Sequence, residues 1–486
     1  MRWLLALCLW QAQGLKDGCH KPVPKAPVVF PDTFGATEHL KMFSGYVNVT
    51  DQDFLFYWFV KSEHPEAENA PLILWSNGGP GCTSMEGAAT EIGPLILEGI
   101  KVGGFKGHFA RNHFAWSKRA HLLFVDQPRY TGYSTGSGPF VLSSQDAAKD
   151  MVQFLRGWRD LFPEHRSAPL VLASESYGGR FVPAWAEAFL EFNERHPAEK
   201  IEVAAVALSN ACLDSRVQGL HTFIQFAEKT HMLPSGYAKP TSKIEAVYMM
   251  AGQMGYVPNA YDYRRESAGP CCGCMGYNYS DFTRWFSRSD VRKSLNVCGD
   301  AGADTFSGCS SGCITFPDTF DANHSSTALA TLGKLLDLQI PVMFSYGMRD
   351  ATCDFQGGFA AASALRWSRY QEWRYTPMKA FHVGDDKVGQ EKTGGGLTWI
   401  QIEDAGHMVP ADNPRAAFVA LSRLLEEISH TKPLQRYSET PPLLDSHVFN
   451  SFAAPVFALL VLALAVALAA VARRQRREET LTLLLE

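Results

Sequence analysis

The chain has 486 residues, of which 46% are hydrophobic and 20% are charged, and its formal net charge at pH 7 is −5. A chain of this length and composition can bury a large core, and its small negative charge argues against a nucleic-acid partner. It contains no internal repeat or long low-complexity segment, which argues against a repeat architecture.

The first 14 residues are typical of a secretory signal peptide. Arg2 precedes an apolar run from Trp3 to Trp10, and the small residues Ala12 and Gly14 offer a cleavage site. The run is too short to cross a bilayer as a helix. Residues 1–14 are therefore predicted to direct the chain into the secretory pathway and to be removed.

A glycine-rich loop follows the apolar run Leu72–Trp75. Residues 77–81 read Asn-Gly-Gly-Pro-Gly. Acyl transfer needs two backbone N–H groups directed at the developing oxyanion, and glycine lets the backbone approach without a Cβ. Gly79 is predicted to supply one of these donors, while a plain Gly-Pro turn remains the alternative.

A second apolar run ends in a small-residue turn with a serine at its apex. The run covers residues 169–172, and residues 174–179 read Ser-Glu-Ser-Tyr-Gly-Gly. This spacing is that of a nucleophile elbow, in which a tight turn raises the serine Oγ above the sheet edge and a helix begins directly afterwards. Ser176 is the predicted nucleophile, and the N–H of Tyr177 is the predicted second oxyanion donor.

An acid and a histidine follow in the order that α/β-hydrolases use. Asp350 follows the apolar run 340–346, and His407 follows the run 397–402. His407 is predicted to accept the Ser176 proton as general base, and Asp350 to orient and stabilise the imidazolium. Taken singly, Asp350 is better explained as a turn aspartate and His407 as a surface histidine, but their order and strand context together favour a triad.

Apolar runs alternate with helical stretches through most of the chain, including a closing helix over residues 415–428. This alternation predicts an α/β-hydrolase fold, with helices on both faces of a largely parallel sheet. The core is expected in two parts, residues 19–213 and 311–428. The cysteine-rich segment 214–310 interrupts the alternation between them.

Ten cysteines remain after Cys8, and six of them lie between residues 271 and 313. In a secreted chain they predict disulfides, because the paired spacing of a closed zinc site is missing. Neither a metal nor a cofactor is expected. Glycosylation sequons at Asn48, Asn278 and Asn323 fit a lumenal or extracellular domain.

The C-terminus carries a 21-residue apolar stretch, residues 452–472, followed directly by Arg-Arg-Gln-Arg-Arg. As a helix this stretch is about 31 Å long, enough for a bilayer core, and positive charge marks the cytosolic side. The prediction is a type I membrane protein with a stalk over residues 429–451 and a cytosolic tail over 473–486. A GPI signal is the alternative, although such signals end apolar.

Three motifs together resemble the serine carboxypeptidase family, namely Asn77–Cys82, Glu175–Gly179 and Gly406–Pro410. The resemblance covers about residues 35–430. It implies an α/β-hydrolase fold in which segment 214–310 is a cap that shapes the substrate cleft. It also implies an enzyme that releases C-terminal amino acids from peptides and proteins through an acyl-enzyme.

The resemblance further implies roles for residues that the chain pattern alone does not single out. Asn77, Gly78, Glu91 and Glu175 are expected to bind the terminal carboxylate of the substrate. Because like charges at hydrogen-bond distance raise the pKa of a carboxyl group, at least one glutamate must be protonated to donate. Peptide binding is therefore expected to be tight at acidic pH, in the lumen of the Golgi, of an endosome, lysosome or vacuole, or at the cell surface.

By the same resemblance, Cys82 is expected to pair with one of two later cysteines, Cys309 or Cys313, and so to pin the oxyanion loop. Cys353 is expected to be a free buried thiol near the site, with Met408 close by. The partners of Cys19 and Cys212 are left unassigned.

Two departures from the family pattern, Arg129 and Tyr130, stand where small residues are usual and suggest side chains that line the cleft. Two other functions also remain open. One is an acyltransferase or esterase on the same scaffold, and the other is a non-catalytic lumenal binding protein.

Overall fold

The computed structural model describes residues 22–31, 39–97, 99, 107–267, 277, 280–298, 306, 320–321 and 327–429. The predicted signal peptide, transmembrane segment and cytosolic tail lie outside these residues, as do the stalk beyond Ser429 and the sequons at Asn278 and Asn323. Within the described ranges, every helix is too short or too polar to cross a bilayer.

Sixteen strands occur in the described residues. In chain order they are β1 Ala26–Pro27, β2 Met42–Asn48, β3 Asp53–Val60, β4 Leu72–Ser76, β5 Leu95–Leu97, β6 Phe109–Arg111, β7 His121–Val125, β8 Thr135–Gly136, β9 Leu170–Glu175, β10 Val203–Ser209, β11 Pro258–Asn259, β12 Asp262–Glu266, β13 Val342–Gly347, β14 Lys379–Val383, β15 Asp386–Gly394 and β16 Leu397–Ile402.

Twelve α-helices occur in the same part of the chain. They are α1 Met85–Thr90, α2 Ser144–Leu161, α3 Gly178–Arg195, α4 Leu220–Lys229, α5 Lys243–Met254, α6 Ser280–Ser287, α7 Ser289–Ser294, α8 Ala328–Asp337, α9 Phe355–Ala364, α10 Tyr370–Tyr375, α11 Val409–Asp412 and α12 Pro414–Ile428.

Twelve strands form one mixed sheet in the order β1-β2-β3-β7-β4-β9-β10-β13-β16-β15-β14, with β8 paired to β3. The six strands from β7 to β16 run parallel to one another. The strand order reverses at β4, because the chain first moves to β7 on one side and then returns to β9 on the other. Such a reversal opens a crevice at the carboxyl ends of the strands, where α/β proteins bind their ligands.

Successive residues of a central strand face opposite sides of the sheet. Leu72 and Leu74 of β4 therefore enter one hydrophobic core, and Ile73 and Trp75 enter the other. Helices α2, α3, α8 and α9 cover the first face, and α1 and α12 cover the second. This arrangement confirms the predicted α/β sheet with helices on both faces.

The chain between β10 and β13 contributes α4 to α8 and the hairpin β11–β12. The turn of this hairpin is hydrogen-bonded to two loops at the carboxyl edge of the sheet. Ala351 N donates to Ala260 O over 2.9 Å, and His407 N donates to Tyr261 O over 2.7 Å. The hairpin therefore connects the loops that follow β13 and β16.

Candidate active site

The serine turn joins β9 to α3 and holds Ser176 in the left-handed region, at φ 56°. A non-glycine residue persists there only when its surroundings hold it. Ser176 N donates to Ser209 O over 3.0 Å, and Ser176 O accepts from Cys212 N over 2.8 Å. The turn is therefore tied to the end of β10, and Tyr177 directly precedes the first residue of α3.

The glycine-rich loop after β4 lies directly against this turn. A Cβ at Gly78 would lie 2.6 Å from Tyr177 N and 2.8 Å from both Glu175 O and Ser176 Cβ. Gly79 has φ 112°, a conformation that favours glycine. The close approach places the predicted oxyanion loop beside the predicted nucleophile and beside Tyr177.

The predicted acid and base are brought together by the loops after β13 and β16. His407 Nδ1 lies 2.7 Å from Asp350 Oδ2, and both side chains are buried. The Tyr261 ring stacks on the imidazole, with 4.6 Å between ring centroids. An Nδ1–H that donates to the carboxylate leaves Nε2 as the nitrogen able to exchange a proton.

The Asp350 carboxylate accepts further hydrogen bonds that the sequence did not indicate. Asn210 Nδ2 donates to Oδ2 over 2.7 Å, Thr352 N donates to Oδ1 over 2.8 Å, and Cys353 N lies 3.3 Å from Oδ2. Sequence reasoning missed Asn210. The available signal was its position directly after the apolar run of β10, which places it at the same sheet edge as Ser176 and Asp350.

The residues expected to bind a carboxylate also form a cluster. Asn77 Nδ2 donates to Glu175 Oε1 over 2.9 Å and lies 3.4 Å from Glu91 Oε1. Trp75 Nε1 donates to Asn77 Oδ1 over 2.8 Å and thereby orients the amide. All three polar side chains are buried, and Glu175 directly precedes Ser176.

The expectation of a free thiol at Cys353 is wrong. Cys353 forms a disulfide with Cys212, across 141 residues of sequence. Because β10 and β13 are neighbouring parallel strands, the loops that follow them meet, and this adjacency is not visible in either local sequence. Cys82 is also disulfide-bonded, but its expected pairing with Cys309 or Cys313 lies outside the described residues.

Arg129 and Tyr130 join a polar cluster rather than presenting free polar groups. The Arg129 guanidinium donates to Asp150 over 2.6 and 2.7 Å and to Asp53 over 3.0 Å. The Tyr130 hydroxyl donates to Asp53 Oδ1 over 2.8 Å. Both aspartates are buried, so Arg129 compensates two buried carboxylates.

The remaining predicted positions are placed as follows. Met408 is buried next to His407 in the chain, and Asn48 is exposed at the end of β2. In the described part of the chain, no group of three or more His, Cys, Asp or Glu side chains is arranged to hold a metal ion.

A sequence profile of the serine carboxypeptidase family matches residues 31–248 and 241–427. Carboxypeptidase Y homolog A of Phaeosphaeria nodorum is 29% identical over 440 residues, which cover 82% of this chain and 75% of that protein. Carboxypeptidase Y of Candida albicans is 28% identical over 422 residues, which cover 79% of this chain and 73% of that protein.

A solved structure with the same fold is that of Kex1Δp, a prohormone-processing carboxypeptidase from Saccharomyces cerevisiae. It superimposes with a TM-score of 0.68 at 21% identity, over 80% of this chain and 92% of that one. The likeness confirms the predicted α/β-hydrolase fold. Because the family profile also spans most of the sequence, the chain belongs to the serine carboxypeptidase family.

Proposed function

We propose that the protein releases C-terminal amino acids from peptides and proteins through an acyl-enzyme on Ser176. The observation that carries the proposal is the 2.7 Å contact between His407 and Asp350 at the sheet edge that also holds the Ser176 turn. Family membership supports the reaction class, since the chain is a serine-type carboxypeptidase by family.

In the proposed mechanism, His407 Nε2 removes the hydroxyl proton as Ser176 Oγ attacks the last peptide carbonyl. The N–H groups of Gly79 and Tyr177 stabilise the oxyanion, and Asp350 stabilises the imidazolium. His407 then returns the proton to the departing amino acid. Water, activated by the same imidazole, hydrolyses the acyl-enzyme and restores Ser176.

We assign recognition of the substrate C-terminus to the cluster of Asn77, Gly78, Glu91 and Glu175. Asn77 contacts both glutamates, and Glu175 adjoins the nucleophile, so a carboxylate bound there places the last peptide bond near Ser176. A third carboxylate joins two others only if at least one is protonated. The cluster therefore favours binding at acidic pH, which supports an acidic lumen as the working compartment.

The decisive experiment uses the purified chain from residue 19 to 450 and its Ser176→Ala variant. Mass spectrometry of peptides digested across a pH series is expected to show C-terminal residues released by the unaltered chain only. Peptides with an amidated C-terminus serve as the matched control and are expected to stay intact, or to be cut far more slowly. Equal trimming by the Ser176→Ala variant contradicts the proposal.

A fluorophosphonate probe separates the alternatives. Labelling of Ser176 together with C-terminal trimming supports the carboxypeptidase. Labelling with transfer of the acyl group to an added alcohol or amine, but with no trimming, identifies an acyltransferase or esterase. A lack of labelling identifies a binding protein without catalytic activity.

We also propose that residues 214–310 form the cap over the cleft and that residues 452–472 anchor the chain in a secretory-pathway membrane, with the enzyme in the lumen. The apolar stretch and the arginines after it support the anchor. Alkaline extraction of membranes should leave the full chain in the pellet and release a chain that ends at residue 451. Release of both contradicts the anchor.

A further inference from the structure

One buried side chain that the proposed mechanism does not use touches the catalytic acid directly. Asn210 follows β10, is completely buried and has φ 40°. Its Nδ2 donates to Asp350 Oδ2 over 2.7 Å, and its Oδ1 accepts from Gly347 N over 3.0 Å. The amide therefore bridges the last residue of β13 and the carboxylate that lies three residues later.

The backbone around Asn210 is linked to the nucleophile as well. Asn210 N donates to Ser345 O over 2.8 Å, and the preceding carbonyl, Ser209 O, accepts from Ser176 N over 3.0 Å. Asn210 therefore links two parts of the site. Its side chain contacts Asp350, and the residue before it, Ser209, is hydrogen-bonded to the Ser176 turn. The side chains of Asn210 and His407 both contact the Asp350 carboxylate at hydrogen-bond distance.

The two donors meet at one oxygen of the carboxylate. Asp350 Oδ2 accepts from Asn210 Nδ2 and from His407 Nδ1, each at 2.7 Å. The position of the His407 imidazole therefore depends on the orientation of the Asp350 carboxylate, and the Asn210 amide fixes that orientation. A misplacement of about 1 Å in a catalytic group can cost about 100-fold in rate.

We infer that Asn210 is a positioning residue of the triad, which orients the Asp350 carboxylate and, through it, the His407 imidazole. The inference rests on the proposed function, because it gives Asp350 and His407 their roles. Asn210 itself contacts neither substrate nor the reacting atoms. Other titratable groups that interact electrostatically with Asp350 are Tyr277, Tyr346 and Asp354.

Two substitutions test this role. Asn210→Gly removes the amide without backbone strain, because glycine adopts a positive φ freely. It is expected to lower kcat by about 10- to 100-fold while KM stays within about twofold, since the substrate cluster is untouched. Fluorophosphonate labelling should slow by a similar factor, because it uses the same activated serine.

Asn210→Asp gives a signature that a purely structural role would not. A protonated Asp at this position can donate to Asp350 as the amide does, whereas an ionised one repels it. The variant is therefore expected to keep substantial activity at acidic pH and to lose it progressively, relative to the unaltered chain, as the pH rises. A mere loss of fold would lower activity in parallel with the folded fraction, measured by circular dichroism at each pH.

Asn193→Asp is the matched control. Its amide bridges Ile201 N and O over 2.7 and 3.0 Å at the far end of α3, and the change should leave the pH profile of kcat/KM unaltered. If the unaltered chain trims peptides and either Asn210 variant, once folded, matches its kcat and pH profile, the positioning role is wrong and the proposed function stands. If the unaltered chain itself neither trims peptides nor labels, the proposed function fails first.

Discussion

At the scale of single residues, the candidate site depends on two glycines, because a side chain at either position would collide with neighbouring backbone atoms. Gly78 lets the loop after β4 reach the Tyr177 amide, and a Cβ at Gly347 would collide with the carbonyl oxygens of Ala405 and Gly406. The loop of the predicted acid therefore touches the loop of His407 only because residue 347 is glycine. Both contacts involve backbone atoms, which cannot move aside as a side chain can.

Gly78→Ala is expected to displace the Tyr177 amide and so to lower kcat by at least about 100-fold, because an oxyanion donor is worth about 100- to 1,000-fold. Activity on a free-carboxyl peptide measures the effect. Gly252→Ala, in α5, is the matched control, because a Cβ there meets nothing within 4 Å. The control should keep full activity, and an equally active Gly78→Ala variant would contradict the assigned contact.

At the scale of elements, a disulfide joins two of the loops that form the site. The Cys212–Cys353 disulfide joins the loop after β10 to the loop after β13. Each half-cystine is also hydrogen-bonded to the site, since Cys212 N donates to Ser176 O and Cys353 N approaches Asp350 Oδ2. The bridge therefore supports the same geometry that Asn210 holds by its amide.

Removal of this bridge by Cys212→Ala with Cys353→Ala is expected to reduce the free energy of unfolding by about 3 to 5 kcal/mol, because the disulfide closes a long loop of the unfolded chain. The kcat should fall as well, since the acid loop gains freedom. Urea unfolding and peptide hydrolysis measure the two effects. An unfolding midpoint equal to that of the unaltered chain would show that the bridge adds no stability.

The helix predicted to follow the serine turn, α3, begins at Gly178 and contains Pro183 in its second turn. A proline inside a helix removes one hydrogen bond and is usually a boundary. Here Phe181 and Phe189 are fully buried in the core, and this packing outweighs the missing bond.

At the scale of the whole molecule, buried titratable groups act in opposite directions on stability. Burial lowers the pKa values of His121 and His165 to about 4, and burial raises those of Asp126 and Asp354 to about 6. The two buried neutral histidines do not reduce the free energy of unfolding above about pH 6.5, but they reduce it progressively as the pH falls towards 4, because the unfolded chain then takes up protons that the folded chain does not. The aspartate penalty is complete above about pH 6 and is relieved over the same fall. The two trends oppose each other, which suits a protein proposed to work in an acidic lumen.

The effect of His165→Phe on the free energy of unfolding is expected to be more favourable at pH 4.5 than at pH 7.5 by about 1 to 2 kcal/mol. The reason is that the variant lacks a histidine that takes up a proton when the chain unfolds at acidic pH. Phenylalanine fits a site lined by Phe59, Trp158 and Phe162. Lys61 and Glu164 also act on this histidine.

Urea unfolding at the two pH values measures the difference. The matched control is His221→Gln, at an exposed position of α4, which should show no such dependence. An effect of His165→Phe that is equal at pH 4.5 and pH 7.5 would contradict the assignment.

Local patterns in the sequence are sufficient to predict the α/β core and to locate most of the candidate site residues. Alternating apolar runs and helical stretches are local patterns, and they indicated the α/β core. Motifs of five or six residues were enough to locate Ser176, His407 and the loop at Asn77, because the turn that each motif forms is encoded by its own residues. Their catalytic roles remain predictions, although the structure brings Asp350 and His407 within hydrogen-bond distance.

Contacts between residues that are distant in the sequence become visible only in the folded chain. The bond of Asn210 to Asp350 and the Cys212–Cys353 disulfide both arise because β10 and β13 lie side by side. The pairing of Arg129 with Asp53 and Asp150 likewise joins three separate parts of the chain. Local propensity determines whether a segment forms a helix, a strand or a turn. The strand order determines which other segments it contacts, and that order depends on the packing of the whole core.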